Sequence, residues 1–254
     1  MIDSHAHIHD KAFDEDRAEV VARARAAGVG QIVTVGCDLA DSQRALDAAR
    51  TYGTLASVGI HPHEAIDAPD DIAAAFAPFL ADPRVVAIGE TGLDYYYDHS
   101  PRDAQRRVLR AQLALARESD TPVIFHQRDA YDDFLAILRE EWRPGMRGVI
   151  HCFTGDAAQA GTYVRDFGLL LGIGGVVTFK SAEGLRDAVR AVGLAPLVFE
   201  TDCPYLTPVP NRGKRNEPAY VTLAAQRVAE LLGVTLDDAI AHTDRNARAL
   251  FRLD

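Results

Sequence analysis

Short runs rich in Val, Ile and Leu alternate with longer amphipathic stretches about eight times along the chain, and few folds accept that alternation. The runs are MIDSHAH, QIVTVGC, TLASVGIH, VVAIGE, PVIFHQ, RGVIHCF, LLLGIGG and LVFETD. Stretches such as DEDRAEVVARARAAG, DSQRALDAARTYG and PRDAQRRVLRAQLALARES lie between them. Those stretches place apolar residues every three or four positions and charges on the other face, which predicts helices. Near-continuous apolar strands suit a parallel sheet covered on both sides. Strand then helix, repeated in this way, predicts an α/β chain folded as a (β/α)8 TIM barrel. The runs end near His7, Cys37, His61, Glu90, His126, His151, Gly174 and Asp202, between 23 and 36 positions apart. That spacing matches a βαβ unit of roughly 30 residues. An open doubly wound sheet has a similar rhythm, and the count favours the barrel. No linker or shift of composition interrupts residues 1–254, so a single domain is expected. PAYVTLAAQRVAELLG and LDDAIAHTDRNARALF read as terminal helices packed outside it.

The ends of these strands carry residues that bind metals. His5 and His7 share a strand period of two and project to one side. His61 and His63 follow the third run, while Glu90, His126, His151 and Asp202 close the fourth, fifth, sixth and eighth. In a parallel barrel all of these ends open on one face. A single histidine at a strand end is ordinarily a surface or satisfied polar group. Six imidazoles and carboxylates gathered at one mouth are costly to bury unless cations satisfy them. The expected ligands are therefore His5, His7, Glu90, His126, His151 and Asp202.

These are too many for one tetrahedral ion, so two divalent cations are expected. Mg2+ or Mn2+ would serve activity, with Zn2+, Ni2+ or Fe2+ as other occupants. Glu90, midway in strand order, is the expected bridge. His5, His7 and Asp202 then serve one ion, because strands one and eight adjoin in a closed barrel, and His126 and His151 serve the other. Such a pair activates water and holds the attacking and leaving oxygens. Glu90 and Asp202 are thus also the expected catalytic residues, Asp202 as acceptor of the water's proton. Asp3 and Glu200, by strand parity, are candidate acceptors that orient the ligands. The same parity turns Cys152 and Cys203 away from the metals.

DSHAHIHD, GIHPH, IGETGLDYYYD, PVIFHQRDA, HCFTG, ETDCPYLTPVP and RGKRNEPAYV, in that order from Asp3 to Val221, resemble the TatD family of metal-dependent deoxyribonucleases. That family belongs to the amidohydrolase-like barrels. The resemblance implies a phosphodiesterase acting on DNA, a 3′-to-5′ exonuclease that prefers single strands or 3′ ends, with a role in DNA repair or degradation. It implies the same six metal ligands and makes His61 a contact to substrate phosphate, with His63 beside it among the substrate-binding residues. His9 departs from the family pattern, which is often apolar there, and is expected to be a non-ligand, facing either solvent or substrate.

A formal net charge of −10 argues against a protein that blankets phosphates with Lys and Arg. NRGKRNEPAY runs against that trend, and Arg212, Lys214 and Arg215 in it are expected to contact the backbone phosphates of a single strand or an end entering the barrel mouth. Tyr95, Tyr96 and Tyr97 offer a stacking surface for unpaired bases, although loop packing accounts for any single one of them. Three cysteines without a CxxC spacing, no basic-then-apolar leader and no run long enough to span a membrane predict a cytoplasmic protein. The competing readings are an aminoacyl-tRNA deacylase, or another amidohydrolase-type enzyme acting on a non-nucleic substrate. Many of the latter bridge their metals with a carboxylated lysine, and no lysine closes a strand here. A non-catalytic barrel is disfavoured by the intact ligand set.

Overall fold

A computed structural model describes residues 1–253. Its strands are β1 (Ile2–Ala6), β2 (Gln31–Val35), β3 (Leu55–Val58), β4 (Val85–Asp94), β5 (Val123–Arg128), β6 (Gly148–Ile150), β7 (Leu170–Ile173) and β8 (Leu197–Phe199). They pair in the order β1 to β8. Register is parallel, as in Ile88↔Val123 of β4 and β5 and Gly172↔Val198 of β7 and β8. A helix follows each strand: α1 (Arg17–Ala26), α2 (Leu39–Tyr52), α3 (Ile72–Leu80), α4 (Arg102–Ser119), α5 (Tyr131–Glu141), α6 (Ala157–Phe167), α7 (Glu183–Val192) and α8 (Val221–Leu232). Helix α9 (Leu236–Phe251) ends the chain. The fold is the TIM barrel, nearly closed, that the alternation predicts. No helix among the described residues is long and apolar enough to cross a membrane.

Two compact units are distinguished within the chain, residues 1–34 with 151 onward, and residues 35–150. In the first, β1 is buried along its whole length, with Ile2 and Ala6 in the core and Asp3, Ser4 and His5 also buried. Ser4 Oγ donates to the Phe199 carbonyl, and the His7 amide donates to that of Cys203, which sets β1 beside β8 and the segment after it. Asp156 and Gln159 close the start of α6 with a reciprocal capping box.

In the second unit, two buried glutamines of α4 hold the ends of the strands. Gln112 accepts from the Ile60 amide and donates to the Ile60 carbonyl and to Thr91 Oγ1. Gln105 accepts from the Asp94 amide and donates to the carbonyls of Asp94 and Ser100. Unpaired backbone groups at a strand end would be costly to bury, so these side chains complete the ladder where β4 turns into its loop.

Strands β6 and β8 end earlier than their apolar runs suggest. His151 and Cys152 lie beyond β6, and Glu200, Thr201 and Asp202 lie beyond β8. Cys152 and Asp202 adopt positive φ, 44° and 57°, so the period of two does not reach them. Strands β4 and β5, by contrast, run on past Glu90 and His126.

Candidate metal centre

The first unit gathers His5, His7, His151 and Asp202. His5 closes in from β1 and His7 follows it, both buried, with their Nε2 atoms 3.2 Å apart. The Asp202 amide donates to the His5 carbonyl at 2.9 Å. That bond brings Asp202 Oδ1 to 3.4 Å from His7 Nε2, 3.8 Å from His5 Nε2 and 3.9 Å from His151 Nε2. The His5 and His151 rings stack at 3.5 Å with 19° between their planes, so both present the same edge to the carboxylate. Burial works against ionisation of Asp202, but the imidazoles of His151, His7 and His5 outweigh it and hold its carboxyl below the usual range.

This donor set fits a divalent cation. Bonds of roughly 2.0–2.1 Å in a tetrahedral site imply ligand separations of about 3.4 Å. The observed separations of 3.2 to 3.9 Å bracket that value. Ligand atoms of His5, His151 and Asp202 all lie within 4.8 Å of one another. At most one proton can occupy the space between the His5 and His7 Nε2 atoms, whereas a cation satisfies both lone pairs.

Glu200 and Asp3 hold this group from behind, in different ways. Glu200 Oε1 lies 3.0 Å from His151 Nδ1 and accepts the Cys152 amide at 2.6 Å. Through Oε1, Glu200 sets negative charge behind the ring whose Nε2 faces Asp202. Its other oxygen, Oε2, is buried without a hydrogen bond and packs where a Cβ on Gly172 would overlap it. Asp3 instead accepts from the Thr201 amide at 2.9 Å and from Thr201 Oγ1 at 2.6 Å, so it braces the segment that carries Asp202. Burial pushes the Asp3 carboxyl up to about 8, against the opposing pull of those Thr201 bonds. Cys152 is half-buried behind His151. Its φ is positive, and its sulfur lies within 4.8 Å of ligand atoms of His151 and Glu200, on the side of the ring where Glu200 sits. Cys203 is fully buried, and burial raises its thiol. His9 is also buried, with Nδ1 2.9 Å from Thr34 Oγ1, which removes the solvent-facing alternative.

The second unit gathers His61, Glu90 and His126, again within 4.8 Å of one another by one ligand atom each. Glu90 Oε1 lies 2.7 Å from His126 Nδ1 and 3.6 Å from His61 Nε2. His61 has a distinct local role. It caps the 3-10 turn Pro62–Asp67, its Nδ1 accepting the His63 amide at 3.1 Å. A neutral ring that accepts at Nδ1 carries its proton on Nε2, and is a donor there rather than a ligand. Burial, joined by the neighbouring His126 and His63, keeps His61 well below the ordinary histidine range, so the ring is neutral near pH 7.

Asp94 is a central residue that the sequence reading passed over. It is fully buried and shares the β4 face of Glu90, four residues on. Its Oδ2 meets His63 Nε2 at 2.9 Å and His126 Nε2 at 3.1 Å, while Oδ1 accepts the amides of Tyr96 and Tyr97. Burial opposes its charge, yet His126, the Tyr97 amide and His63 hold it far below the usual carboxylate range. The i, i+4 spacing of two acids in ETGLD was a usable signal, since both fall on one face of a strand. Gly92 between them lies against the His126 backbone, where any Cβ would overlap the carbonyl, so β4 and β5 close tightly at this point.

The basic loop is tethered. Arg215 pairs with Asp16 through both of its Nη atoms, at 2.8 and 2.7 Å, donates to the Ala12 carbonyl and covers the Phe13 ring. Arg212 donates to the Thr207 carbonyl and covers Phe179. Lys214 is exposed, its carbonyl accepting from Thr207 Oγ1.

Residues 2–252 match the family model described as TatD related DNase. The chain belongs to the TatD family. It is 43% identical over the full length of both chains to the "uncharacterized metal-dependent hydrolase YabD" of Bacillus subtilis. It is 39% identical to the "3'-5' ssDNA/RNA exonuclease TatD" of Klebsiella pneumoniae, covering all of this chain and 98% of that one. Among solved structures, the TatD homologue YJJV of Escherichia coli K12 superposes with a TM-score of 0.93 at 30% identity, covering all of this chain and 98% of the other. The resemblance noted from DSHAHIHD to RGKRNEPAYV is therefore one of membership, and the TIM barrel is shared with YJJV.

Proposed function

We propose that this TatD-family chain is a metal-dependent hydrolase that cleaves the phosphodiester bonds of single-stranded nucleic acid, DNA foremost, from the 3′ end. One observation carries the reading: His5, His7 and His151 surround the Asp202 carboxylate at separations suited to one divalent cation. The Klebsiella relative's name supports the substrate class. His5, His7, His151 and Asp202 are the ligands in the first unit, with Glu90 and His126 in the second, and residues 1–254 work as one hydrolase domain. Divalent cations held by these residues, Mg2+ or Mn2+, would supply Lewis acidity to the phosphate and lower the pKa of a water.

The protein's own groups do the rest. Asp202, held ionised by its imidazole neighbours, accepts the attacking water's proton on its carboxylate. His61 donates Nε2–H to a phosphate oxygen, a role its capped Nδ1 favours over ligation. Glu200 keeps the His151 ring in register. The exposed ammonium of Lys214 takes a neighbouring phosphate, and the heads of Arg212 and Arg215 add positive charge to the same loop. None of Cys37, Cys152 and Cys203 is in a disulfide, which suits a reducing compartment, so we place the enzyme in the cytoplasm, serving DNA repair or degradation.

The test is a cleavage assay on 3′-labelled and 5′-labelled single-stranded DNA and RNA with Mg2+ or Mn2+, alongside Glu90→Ala. Stepwise shortening from the 3′ end that disappears in the variant is the expected result. Cleavage that survives the substitution, or none by the unaltered protein, overturns the reading.

A further inference from the structure

Two tyrosines in the second unit are exposed in a way that loop packing does not explain. Tyr96 and Tyr97 leave 57% and 49% of their surface open to solvent. Aromatic rings left open are ordinarily on mobile tips, but these are held. Their amides both donate to Asp94 Oδ1, at 3.0 and 2.9 Å, and Asp94 is fully buried. The segment's far end is pinned where Ser100 Oγ donates to the His63 carbonyl at 2.6 Å and accepts the Ile66 amide. The rings are ordered among themselves as well. Tyr97 stacks on His99 with 9° between planes, and Tyr96 meets Tyr97 edge-on at 4.8 Å. The Arg128 guanidinium lies 4.0 Å from the Tyr96 centroid and 4.8 Å from that of Tyr97.

This surface adjoins the candidate ligands through a short chain of contacts. Asp94 holds the tyrosine amides on one oxygen and His126 and His63 on the other, and His126 touches Glu90. Rigid aromatic faces with a cation beside them match a nucleotide with an unpaired base: the rings take its π-face and the guanidinium its phosphate. A protein partner would be favoured by aliphatic neighbours, whereas the ring contacts here are to Arg128, His63 and His99.

We infer that Tyr96 and Tyr97, backed by Arg128 and His99, form a stacking subsite for an unpaired base of the substrate strand. This rests on the reading of the chain as a single-strand nuclease, and it adds a reason for that preference, since paired bases have no free face to offer. Stacking is sequence-tolerant, so the subsite selects unpaired bases without selecting their identity.

The full-length protein tests this by fluorescence anisotropy with two phosphorothioate oligomers of equal length, one of deoxythymidine and one wholly abasic. The double variant Tyr96→Ala/Tyr97→Ala should bind the thymidine oligomer roughly five- to a hundredfold more weakly than the unaltered protein, and the abasic oligomer equally well. Tyr96→Phe/Tyr97→Phe, which keeps both rings, should bind as the unaltered protein does. Equal losses on both oligomers, or no loss on either, overturn the subsite while leaving the nuclease reading intact. Failure of the unaltered protein to bind either oligomer overturns the nuclease reading and the subsite with it.

Discussion

Glu200 Oε1 sits 3.0 Å from His151 Nδ1, so a buried carboxylate grips the back of an imidazole whose Nε2 faces Asp202. Glu200→Gln keeps the shape but removes the charge and can present an NH2 to Nδ1. Metal affinity, read by titration of the metal-free protein with Mn2+, should fall roughly 10- to 100-fold. An unchanged affinity would remove Glu200 from the centre.

Stability should depend on the cations themselves. A ligand that binds only the folded chain stabilises it by about 2.7 kcal/mol at a hundred times its Kd. Treatment with a chelator should therefore lower the melting temperature, and Mn2+ should restore it in a concentration-dependent way. In Asp202→Asn the response to Mn2+ should weaken sharply, as the carboxylate that the three imidazoles surround is lost. A melting temperature indifferent to chelator and metal would refute the assignment.

His61 and His126 should separate cleanly in their effects. His126→Ala should reduce bound metal, measured by elemental analysis. His61→Ala should leave metal content unchanged and lower kcat/KM on single-stranded DNA, on the order of 10- to 100-fold for one lost hydrogen bond to a charged group. Loss of metal in His61→Ala would make that ring a ligand after all.

Acid stability should report the tether of the basic loop. The Arg215 guanidinium, with Arg23 beside it, lowers the Asp16 carboxyl from 3.8 to about 2. A carboxyl lowered by folding stabilises fully above its unfolded value, and that contribution disappears as pH falls through the folded one. The stability gap between the unaltered protein and Asp16→Asn should be constant from about pH 7 to 5 and close between 3.8 and about 2. The pair is partly exposed, so the gap should be about 1 kcal/mol or less in chemical denaturation. A gap that widens on acidification would contradict the tether.

How much of the centre was legible depended on where each residue sits relative to a strand. His5 and His7 were placed together by the period of two, and their Nε2 atoms do meet, although β1 ends at Ala6 between them. Glu90 and His126 were legible as polar residues interrupting apolar runs. Asp202 and Cys152 were not orientable by parity, because β6 and β8 stop before them and positive φ turns the backbone. Asp94 was missed because the apolar run VVAIGE was read as ending at Glu90, while β4 in fact continues to Asp94.

By itself the sequence determined the alternation of buried strands and amphipathic helices, hence the barrel, and the set of imidazoles and carboxylates at its strand ends. Those follow from period and residue chemistry, which are local. Tertiary structure alone decided that Arg215 is committed to Asp16, that His61 spends its Nδ1 on a cap, and that Asp94 links His126 to two exposed tyrosines. Each of these is a choice of partner among several within reach. Such choices depend on distances of 3 Å or so between groups brought together by the whole fold, and no local pattern carries them.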